Sequence, residues 1–398
     1  MWSIHSEVTT LKSVLLHQPG TELENLIPRY LEDLLFDEIP WLKQAQVEHN
    51  GFATLLKEQG VEVVYLLDLI HDILDIPSVK ADLVREHLLF SRISNSFVRG
   101  AIFEYLLQLT NAQLVHALTA GVSKVEVVHL KPYPTLSDLT VRSYPFYLDP
   151  MPSLYFTRDH GVMIGNRLLV SSMFNFARRR ETIFLRFLQQ YHPRFKDVGL
   201  WFHKEIPTGI EGGDVLVINE FTLCIGLSER TTEFAIEYVA RELLLNGQIN
   251  SILVIEIPAK RAYMHLDTVF TMVDFDTFLM YPGIGDQTQV YKLQLGKDKH
   301  ILAHKMSSLK LALEQSIKAP VRILYSGGSD PITAAREQWA DSTNTLAIGP
   351  GKVITYNRNQ VTNELLDKNG IEVFEVEGSE LVRGRGGPRC MSMPLSRK

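Results

Sequence analysis

The sequence predicts an α/β protein built from repeated ββαβ units, with a small helical bundle inserted into the repeat. Several segments follow one order, in which two apolar strands, an amphipathic helix and a final strand succeed one another. One long segment, residues 72–130, is almost free of glycine and of strand patterns. The 398 residues are 45% hydrophobic and 22% charged, as in ordinary globular proteins. This length accommodates one large repeat-built domain with an insertion.

The clearest unit begins at Gly213. Two short apolar strands, separated by Asn219-Glu220, are followed by Ser and Thr side chains suited to capping a helix. The helix is predicted from apolar residues at roughly helical spacing, namely Phe234, Ile236, Val239, Leu243 and Leu244. Asn246-Gly247 ends this helix, and residues 252–257 form the final strand of the unit.

Similar layouts occur elsewhere in the chain. Residues 161–202 and 345–376 repeat the order closely, whereas residues 11–69 and 266–325 fit it more loosely. Five such units in succession favour a radial or stacked repeat over a doubly wound sheet. Residue identity between the units is low, so the repeat is structural.

The segment that lacks strand patterns is predicted to be a small helical bundle. Its apolar residues recur at helical spacing in Val84-Leu88-Leu89 and again in Ile102-Tyr105-Leu106-Leu109. We therefore assign residues 1–71 and 148–398 to the repeat-built domain and residues 72–147 to an inserted helical domain.

Composition excludes several classes of function. The net charge of −6 argues against a general nucleic-acid binder, which needs excess Lys and Arg. The chain contains no apolar run long enough to span a membrane. The first seven residues lack the basic start and apolar core of a signal peptide, which predicts a cytoplasmic protein.

The two cysteines have different surroundings. Cys224 lies in an apolar strand-like run, where a free cysteine is usually a small buried hydrophobe. Cys390 lies in Gly384-Arg385-Gly386-Gly387-Pro388-Arg389-Cys390, and a loop beside cations is where thiols become nucleophiles. Two cysteines exclude a disulfide scaffold and a four-cysteine metal site.

Polar clusters stand at the starts of successive units. Asp159, Glu211 and the pair His265/Asp267 begin three units, and Cys390 follows the last one. If the units surround an axis, these starts converge at its centre. Such a pocket would contain a thiol, an imidazole and three carboxylates.

Each cluster also has an ordinary structural interpretation. Asp159 could cap a turn, and Glu211-Gly212-Gly213-Asp214 resembles a tight turn. His265 and Asp267 would share one face of a strand and could form a structural pair. A zinc ion bound by Cys390, His265 and a carboxylate is a further alternative.

Taken together, the clusters indicate guanidinium chemistry. Several carboxylates in a closed site repel one another unless a cation lies among them, and a planar guanidinium binds a carboxylate through two parallel N–H donors. Its carbon is a poor electrophile, so attack requires a thiolate and a general acid for the departing ammonia. Cys390 and His265 supply those groups, although neighbouring carboxylates should raise the pKa of the thiol.

With these residues identified, the chain resembles the arginine deiminase family, within the guanidine-modifying superfamily of five-bladed α/β propellers (the pentein fold, with pseudo-fivefold symmetry). The resemblance covers nearly the whole chain. It is carried by Ser6-Glu7, by Leu34-Leu35-Phe36-Asp37-Glu38-Ile39 and by the closing run Ser379-Glu380-Leu381-Val382-Arg383-Gly384-Arg385-Gly386-Gly387-Pro388-Arg389-Cys390-Met391-Ser392-Met393-Pro394.

The resemblance implies roles for the catalytic set. Cys390 would be the nucleophile that forms a covalent amidino-thioether. His265 would protonate the departing ammonia and then activate water to release citrulline. Glu211 would assist proton transfer and contact the guanidinium, whose nitrogens Asp159 and Asp267 would bind. No cofactor or metal is implied.

The resemblance also assigns substrate-binding residues. Arg178 and Arg230 would bind the carboxylate of the substrate, and Phe156 would line its pocket. Arg385 would lie on a closing loop that gates the site. Ser153 stands where the family usually has Asn, which holds the α-carbon end of the substrate.

A second departure is His160, which stands where family members commonly have Pro. Two alternatives follow from the sequence: a related hydrolase or amidinotransferase acting on agmatine or a methylated arginine, and a catalytically silent arginine-binding protein. We expect L-arginine as the small-molecule partner, a homo-oligomer (dimer or tetramer), and neither nucleic-acid nor membrane partners.

Overall fold

The fold was analysed in a computed structural model that describes residues 2–131, 133–140 and 144–398. Its strands are β1 Leu11–Leu16, β2 Glu62–Tyr65, β3 Val122–Ser123, β4 Phe146–Leu148, β5 Gly161–Ile164, β6 Arg167–Val170, β7 Gly199–Leu200, β8 Val215–Asn219, β9 Thr222–Leu227, β10 Ser251–Glu256, β11 Phe270–Asp274, β12 Thr277–Met280, β13 Gln289–Leu295, β14 Ile301–Lys305, β15 Arg322–Tyr325, β16 Leu346–Gly349, β17 Lys352–Tyr356, β18 Glu372–Val376 and β19 Met393–Arg397. Its helices are α1 Leu42–Glu58, α2 Leu66–Ile73, α3 Pro77–Leu89, α4 Ser96–Gln108, α5 Asn111–Ala120, α6 Leu136–Leu139, α7 Glu181–Tyr191, α8 Glu233–Leu245, α9 Leu309–Ile317, α10 Pro331–Trp339 and α11 Gln360–Lys368.

Mixed sheets of one topology recur along the described chain. In each, a first strand pairs antiparallel with a second, and the second pairs parallel with a third. The five sets in the described residues are β19-β1-β2, β5-β6-β7, β8-β9-β10, β11-β12-β15 and β16-β17-β18. A parallel pair requires a crossover, and helices provide it. The predicted α/β class with ββαβ units is therefore present.

Two features of the sheets were not predicted. The segment 11–69 contributes only β1 and β2 to its sheet, and the missing strand is β19 from the opposite end of the chain. The hairpin of β13 and β14 leaves the fourth unit and extends the third sheet by pairing with β10.

Helix α8 illustrates why the crossover helices form where they do. The side chain of Thr232 accepts a hydrogen bond from the amide of Ala235 and so satisfies a free N–H at the helix start. Ala235, Ile236, Val239, Ala240, Leu243 and Leu244 form its buried face. Burying a side chain as large as Ile or Leu contributes about 1.5–3 kcal/mol, so this face anchors the helix on its sheet.

Most contacts between neighbouring sheets are made by their first strands. Contacts link β19 with β5, β8 with β11, β11 with β16 and β16 with β1, and the turns before β5 and β8 also touch. Short 3-10 turns precede three of these strands, at Thr157–His160, Gly212–Asp214 and Leu266–Thr268. His265 and Asp267 therefore lie at a turn. The prediction that they share one face of a strand is wrong.

Helices α2 to α5 form the predominantly helical segment between β2 and β4. Buried residues of this segment, such as Leu83 and Leu118, belong to one hydrophobic cluster with Leu168 and Phe184 of the second sheet and its helix. Helix α2 spans residue 72, where the insertion was predicted to begin. None of the helices in the described ranges is long and apolar enough to cross a membrane.

Candidate active site

The predicted catalytic residues come together at the starts of the first strands. Asp159, Glu211, His265, Asp267 and Cys390 are each at most 3% exposed. They are far apart in the sequence and belong to four separate turns. Their proximity therefore depends on how the sheets are arranged around them.

His265 lies between two carboxylates. Its Nε2 is 2.8 Å from Oε2 of Glu211, and its Nδ1 is 3.6 Å from Oδ1 of Asp159. Burial opposes protonation of His265, but the charge of Asp159 and the hydrogen bond to Glu211 outweigh it and raise the pKa of the imidazole. Burial likewise favours neutral Glu211, yet the hydrogen bond and charge of His265 lower the pKa of that carboxyl group. The pair can therefore hold a proton on the imidazole.

Cys390 is surrounded by some groups that disfavour its ionisation and by others that favour it. Burial and the charges of Asp267 and Asp159 raise the pKa of the thiol well above its ordinary value. Its Sγ is 3.6 Å from Oδ2 of Asp267, which is itself held at 2.7 Å by Nη1 of Arg389. The side-chain amide of Asn344 donates to Sγ at 3.1 Å. Burial and the two carboxylates therefore favour the neutral thiol, whereas the Asn344 amide favours the thiolate.

Arg178 is engaged by carboxylates of the protein. Its Nη1 donates to Asp159 at 2.6 Å and lies 3.8 Å from Glu211, while its Nε and Nη2 donate to Glu181 at 3.1 and 2.8 Å. Nη2 also reaches the carbonyl oxygen of Ser153 at 3.4 Å. The guanidinium of Arg178 neutralises the carboxylate that was predicted to bind the substrate guanidinium.

Arg230 has unused hydrogen-bonding capacity. It is 1% exposed, and its Nε makes no hydrogen bond with any of the described residues. Nη2 approaches the Sδ atom of Met264 at 3.6 Å, and Nε lies 3.4 Å from the carboxylate of Glu229 without hydrogen-bond geometry. A buried guanidinium with a free donor can bind a further carboxylate.

A small cavity lies at the centre of this cluster, with a volume of about 20 Å³. Its walls are Leu35, Ser153, Phe156, Asp159, Arg178, Arg230, Met264, His265, Gly384, Arg385 and Cys390. This volume holds about one water molecule, so a substrate the size of arginine requires the walls to move.

Arg385 separates this cavity from a larger cleft of about 730 Å³, since it lines both. Its guanidinium stacks on the ring of Trp339, 3.4 Å from the centroid. Its Nε and Nη1 have no hydrogen-bond partner in the described part of the chain. The Arg385 guanidinium is therefore held by stacking and by the charge of Asp341, and not by hydrogen bonds at these two nitrogens. The backbone at Arg385 is left-handed, with a φ of 67°.

His160 lies behind the cavity wall. Its Nε2 is 3.2 Å from Oε2 of Glu181, and Glu181 in turn binds Arg178. His160 is therefore linked to the site only indirectly, through Glu181 and Arg178. Ser153 contacts Arg178 through its backbone carbonyl.

Three further residues complete the site. Arg389 was expected only as a cation beside the thiol, and no role was expected for Asp214 or Asn344. Arg389 holds Asp267, and Asp214 accepts hydrogen bonds from the amide of Leu266 and from Ser228, which fixes the turn that carries His265. Burial raises the pKa of Asp214 to about 7. Asn344 stands just before β16, and the regular placement of polar residues before first strands was a signal that could have identified it.

Asp159, Glu211 and His265 also present ligand atoms within 4.8 Å of one another, a spacing that suits a metal ion. However, Nη1 of Arg178 is 2.6 Å from Asp159, so a metal ion would have to displace a guanidinium that is already bound there. The geometry matches recognition of a guanidinium more closely.

A family model and a curated relative both identify the same family. A sequence model of the family described as Arginine deiminase matches residues 32–397. The arginine deiminase of Staphylococcus aureus (strain JH9) is 45% identical over 408 aligned positions, which cover 99% of this chain and 98% of that protein.

Solved structures share the fold at low identity. Unliganded AgrE is 15% identical with a TM-score of 0.54, and the match covers 97% of this chain but only 39% of AgrE. A dimethylarginine dimethylaminohydrolase adduct is 15% identical with a TM-score of 0.52, over 96% of this chain and 99% of that one.

Proposed function

The chain belongs to the arginine deiminase family; it hydrolyses L-arginine to L-citrulline and ammonia, and we propose that it does so through a covalent intermediate on Cys390. The observation that carries the mechanism is the burial of Cys390 and His265 in one closed cavity, beside carboxylates that suit a guanidinium.

The substrate itself activates the nucleophile in this mechanism. Burial and the neighbouring carboxylates keep Cys390 neutral. An arriving guanidinium offsets the charge of the carboxylates and favours the thiolate, and the proton of the thiol passes to water. The sulfur attacks the guanidinium carbon, which becomes tetrahedral. His265 then gives its proton to the departing nitrogen, the carbon–nitrogen bond breaks, and ammonia leaves a cationic amidino-thioether on Cys390.

His265 acts as a base in the second half of the reaction. Now neutral, it takes a proton from water while the oxygen attacks the amidino carbon. The carbon–sulfur bond breaks, citrulline forms, and the thiolate and the imidazolium are regenerated as one further proton passes to ammonia. Glu211 supports both halves because it holds His265 at 2.8 Å and stabilises its charged form.

Two arginines are proposed to bind the carboxylate of the substrate, and they differ in how strongly the protein already engages them. Arg230 has a free Nε and is the main ligand. Before substrate binds, Arg178 neutralises Asp159. When the substrate guanidinium binds beside Asp159 and Asp267, Arg178 releases Asp159 and binds the substrate carboxylate. Phe156 and Ser153 line the same cavity and shape the pocket for the aliphatic part.

Substrate reaches Cys390 from the larger cleft when Arg385 leaves Trp339. The support is that Arg385 lines both spaces and that its guanidinium stacks on Trp339, while its Nε and Nη1 make no hydrogen bond with the described residues. This assigns Arg385 the gating role expected from the family resemblance.

We also propose that the five sheets form a five-bladed propeller with pseudo-fivefold symmetry. The support is the cyclic order of contacts: neighbouring sheets touch, the second and third through the turns before β5 and β8, and the fifth touches the first. Residues 1–71 and 148–398 would form this catalytic domain. Residues 72–147, of which 132 and 141–143 lie outside the described ranges, would form the helical insertion.

The mechanism is tested with Cys390→Ala. We expect citrulline formation from arginine to be abolished, because no other nucleophile replaces the thiol. Cys224→Ala is the matched control, since Cys224 is buried in β9, and it should retain activity. Undiminished turnover by Cys390→Ala would refute the covalent mechanism.

The same assay separates the alternatives left open by the sequence. Faster hydrolysis of agmatine than of arginine would favour a related hydrolase, because agmatine has no carboxylate for Arg230. Rapid quenching followed by mass spectrometry should show an adduct on Cys390, whereas arginine binding without adduct or product would indicate a silent binding protein. The cytoplasmic location and the homo-oligomeric state remain predictions.

A further inference from the structure

We propose that Asn344 is an additional catalytic residue, whose amide N–H stabilises the thiolate of Cys390 and whose amide oxygen holds the loop that carries this cysteine. The proposal rests on the assignment of Cys390 as nucleophile. Its test reads the ionisation of the thiol and does not depend on turnover.

The orientation of the Asn344 amide follows from its neighbours. Oδ1 receives the backbone N–H of Cys390 at 2.8 Å and that of Gly387 at 3.2 Å. A backbone N–H can only donate, so the oxygen must occupy this side of the amide. The NH₂ group then points the other way, to the carbonyl oxygen of Asp267 at 3.3 Å and to Sγ of Cys390 at 3.1 Å.

This orientation determines which form of the thiol is favoured. An amide N–H can only donate, so the sulfur must accept, and a thiolate accepts far better than a thiol. Asp267 has the opposite effect, since its carboxylate at 3.6 Å can only accept the proton of a neutral thiol. Among the described residues, Asn344 is the only one that donates a hydrogen bond to Sγ.

Asn344 is held rigidly enough for this role. It is fully buried, and its backbone N–H donates to the backbone carbonyl oxygen of Asp341. Asp341 itself has a left-handed φ of 58°. Its carbonyl oxygen accepts from the amide of Arg389 at 3.3 Å. A Cβ atom at Gly387 would lie 2.7 Å from that same oxygen, so the close approach of the two loops requires glycine at this position.

The position of Asn344 matches the organisation of the rest of the site. Asp159 precedes β5, Glu211 precedes β8, the pair His265/Asp267 precedes β11, and Cys390 precedes β19. Asn344 stands in the same place before β16. It is therefore the contribution of the fifth sheet to the site.

The experiment compares the pH dependence of Cys390 alkylation by iodoacetamide in two proteins, both carrying Cys224→Ala. One is otherwise unchanged and the other carries Asn344→Ala. Intact-mass spectrometry measures the rate. We expect the apparent pKa of alkylation to rise by about one unit or more in Asn344→Ala, because a hydrogen bond to a charged group is lost. The rate deficit should then be about tenfold at neutral pH and shrink as the pH rises.

Asn344→Asp provides a second variant, because it retains an oxygen for the amides of Gly387 and Cys390 but replaces the donor. It should also raise the apparent pKa of alkylation and reduce kcat more than it changes KM. Asn359→Asp is the control for a buried carboxylate elsewhere, since Asn359 is fully buried and donates to Ala340. It should leave the alkylation profile unchanged.

Two results would overturn the proposal. An unchanged apparent pKa in Asn344→Ala, with activity lost and the melting temperature lowered, would assign Asn344 a purely structural role. An unchanged pKa with full activity would deny it any role. Failure of the proposed function is distinguishable, because a Cys390→Ala protein that still forms citrulline refutes the nucleophile whatever Asn344 does.

Discussion

At the scale of single residues, the buried arginines of the site differ in how far the protein satisfies them. Arg178 donates to Asp159 and Glu181, whereas Nε of Arg230 finds no hydrogen-bond partner in the described part of the chain. A buried donor without a partner costs free energy, and a ligand that supplies one recovers it. We therefore expect replacement of Arg230 to affect substrate binding and replacement of Arg178 to affect stability as well.

We expect Arg230→Gln to raise KM for arginine by about 10- to 100-fold, because a hydrogen bond between charged groups contributes about 1.5–3 kcal/mol. Its kcat should change much less, since the contact is made equally in the ground and transition states. Steady-state kinetics on arginine and agmatine provide the measurement. Hydrolysis of agmatine should be unaffected, and an unchanged KM for arginine would contradict the assignment.

Arg178 serves as the comparison in that experiment. In Arg178→Gln, the carboxylates of Asp159 and Glu181 lose their cation while buried, which costs roughly 3–5 kcal/mol. This variant should therefore lose thermal stability as well as activity, whereas Arg230→Gln should keep its melting temperature.

The ion pair of His265 and Glu211 predicts how stability depends on pH. The pKa of His265 is raised from 6.5, so its contribution is complete below about pH 6.5 and is lost as the pH rises through the raised value. The pKa of Glu211 is lowered from 4.5, so its contribution is complete above about pH 4.5 and is lost as the pH falls through the lowered value.

The stabilisation by this pair should therefore be greatest between about pH 4.5 and 6.5. The measurement is the free energy of unfolding of the wild-type protein minus that of Glu211→Gln across the pH range. We expect this difference to decline above pH 6.5 and again in acid. A constant difference from pH 5 to 9 would show that the pair does not titrate as described.

At the scale of elements, the short turns before the first strands carry the chemistry. Their backbones pack too closely for side chains at some positions. A Cβ atom on Gly212 would lie 2.1 Å from the carbonyl oxygen of Arg158 and 3.1 Å from that of Gly161. Gly212 is therefore required because two backbones meet there, next to Asp159 and Glu211.

Gly212→Ala should lower the free energy of unfolding by at least about 1–3 kcal/mol, the usual cost of overpacking. Gly100→Ala is the matched control, because Gly100 lies within α4 and a Cβ atom there meets nothing within 4 Å. It should raise stability by about 0.5–1 kcal/mol. Urea denaturation measures both. Equal effects of the two variants would contradict the packing argument.

The elements themselves were largely predictable. Helix α8 begins where it was predicted, directly before Phe234, because capping side chains and apolar spacing act locally. The hairpin of β13 and β14 was missed, since its pairing partner β10 lies in a different unit. The two-residue spacing of His265 and Asp267 predicts a strand, but the same spacing also fits the turn that the chain forms at Leu266–Thr268.

At the scale of the whole molecule, the chain ends meet. Strand β19 pairs with β1, and the backbone of Thr10 exchanges two hydrogen bonds with that of Lys398. Cys390 lies three residues before β19, so the strand that completes the first sheet also positions the proposed nucleophile.

We therefore expect Leu395→Ala to cost about 2–5 kcal/mol of stability, because Leu395 is fully buried in β19. Leu311→Ala is the control, since Leu311 is 40% exposed on α9 and should change stability by less than about 0.5 kcal/mol. Urea denaturation again provides the measurement. Equal losses in the two variants would show that β19 does not anchor the fold.

The sequence by itself determined the residue types and their local spacing, because helix caps, strand patterns and turns depend on neighbours a few residues away. It also identified Cys390, with its basic loop, as the cysteine suited to nucleophilic chemistry. The repeat also predicted that the carboxylates, His265 and Cys390 share one pocket, but only the tertiary structure decided which atoms touch and that Asn344 joins them. Asn344 contacts Cys390 across 46 residues, and Glu211 contacts His265 across 54. Hydrogen bonds form only over a few ångströms, and the arrangement of the sheets brings such distant residues that close.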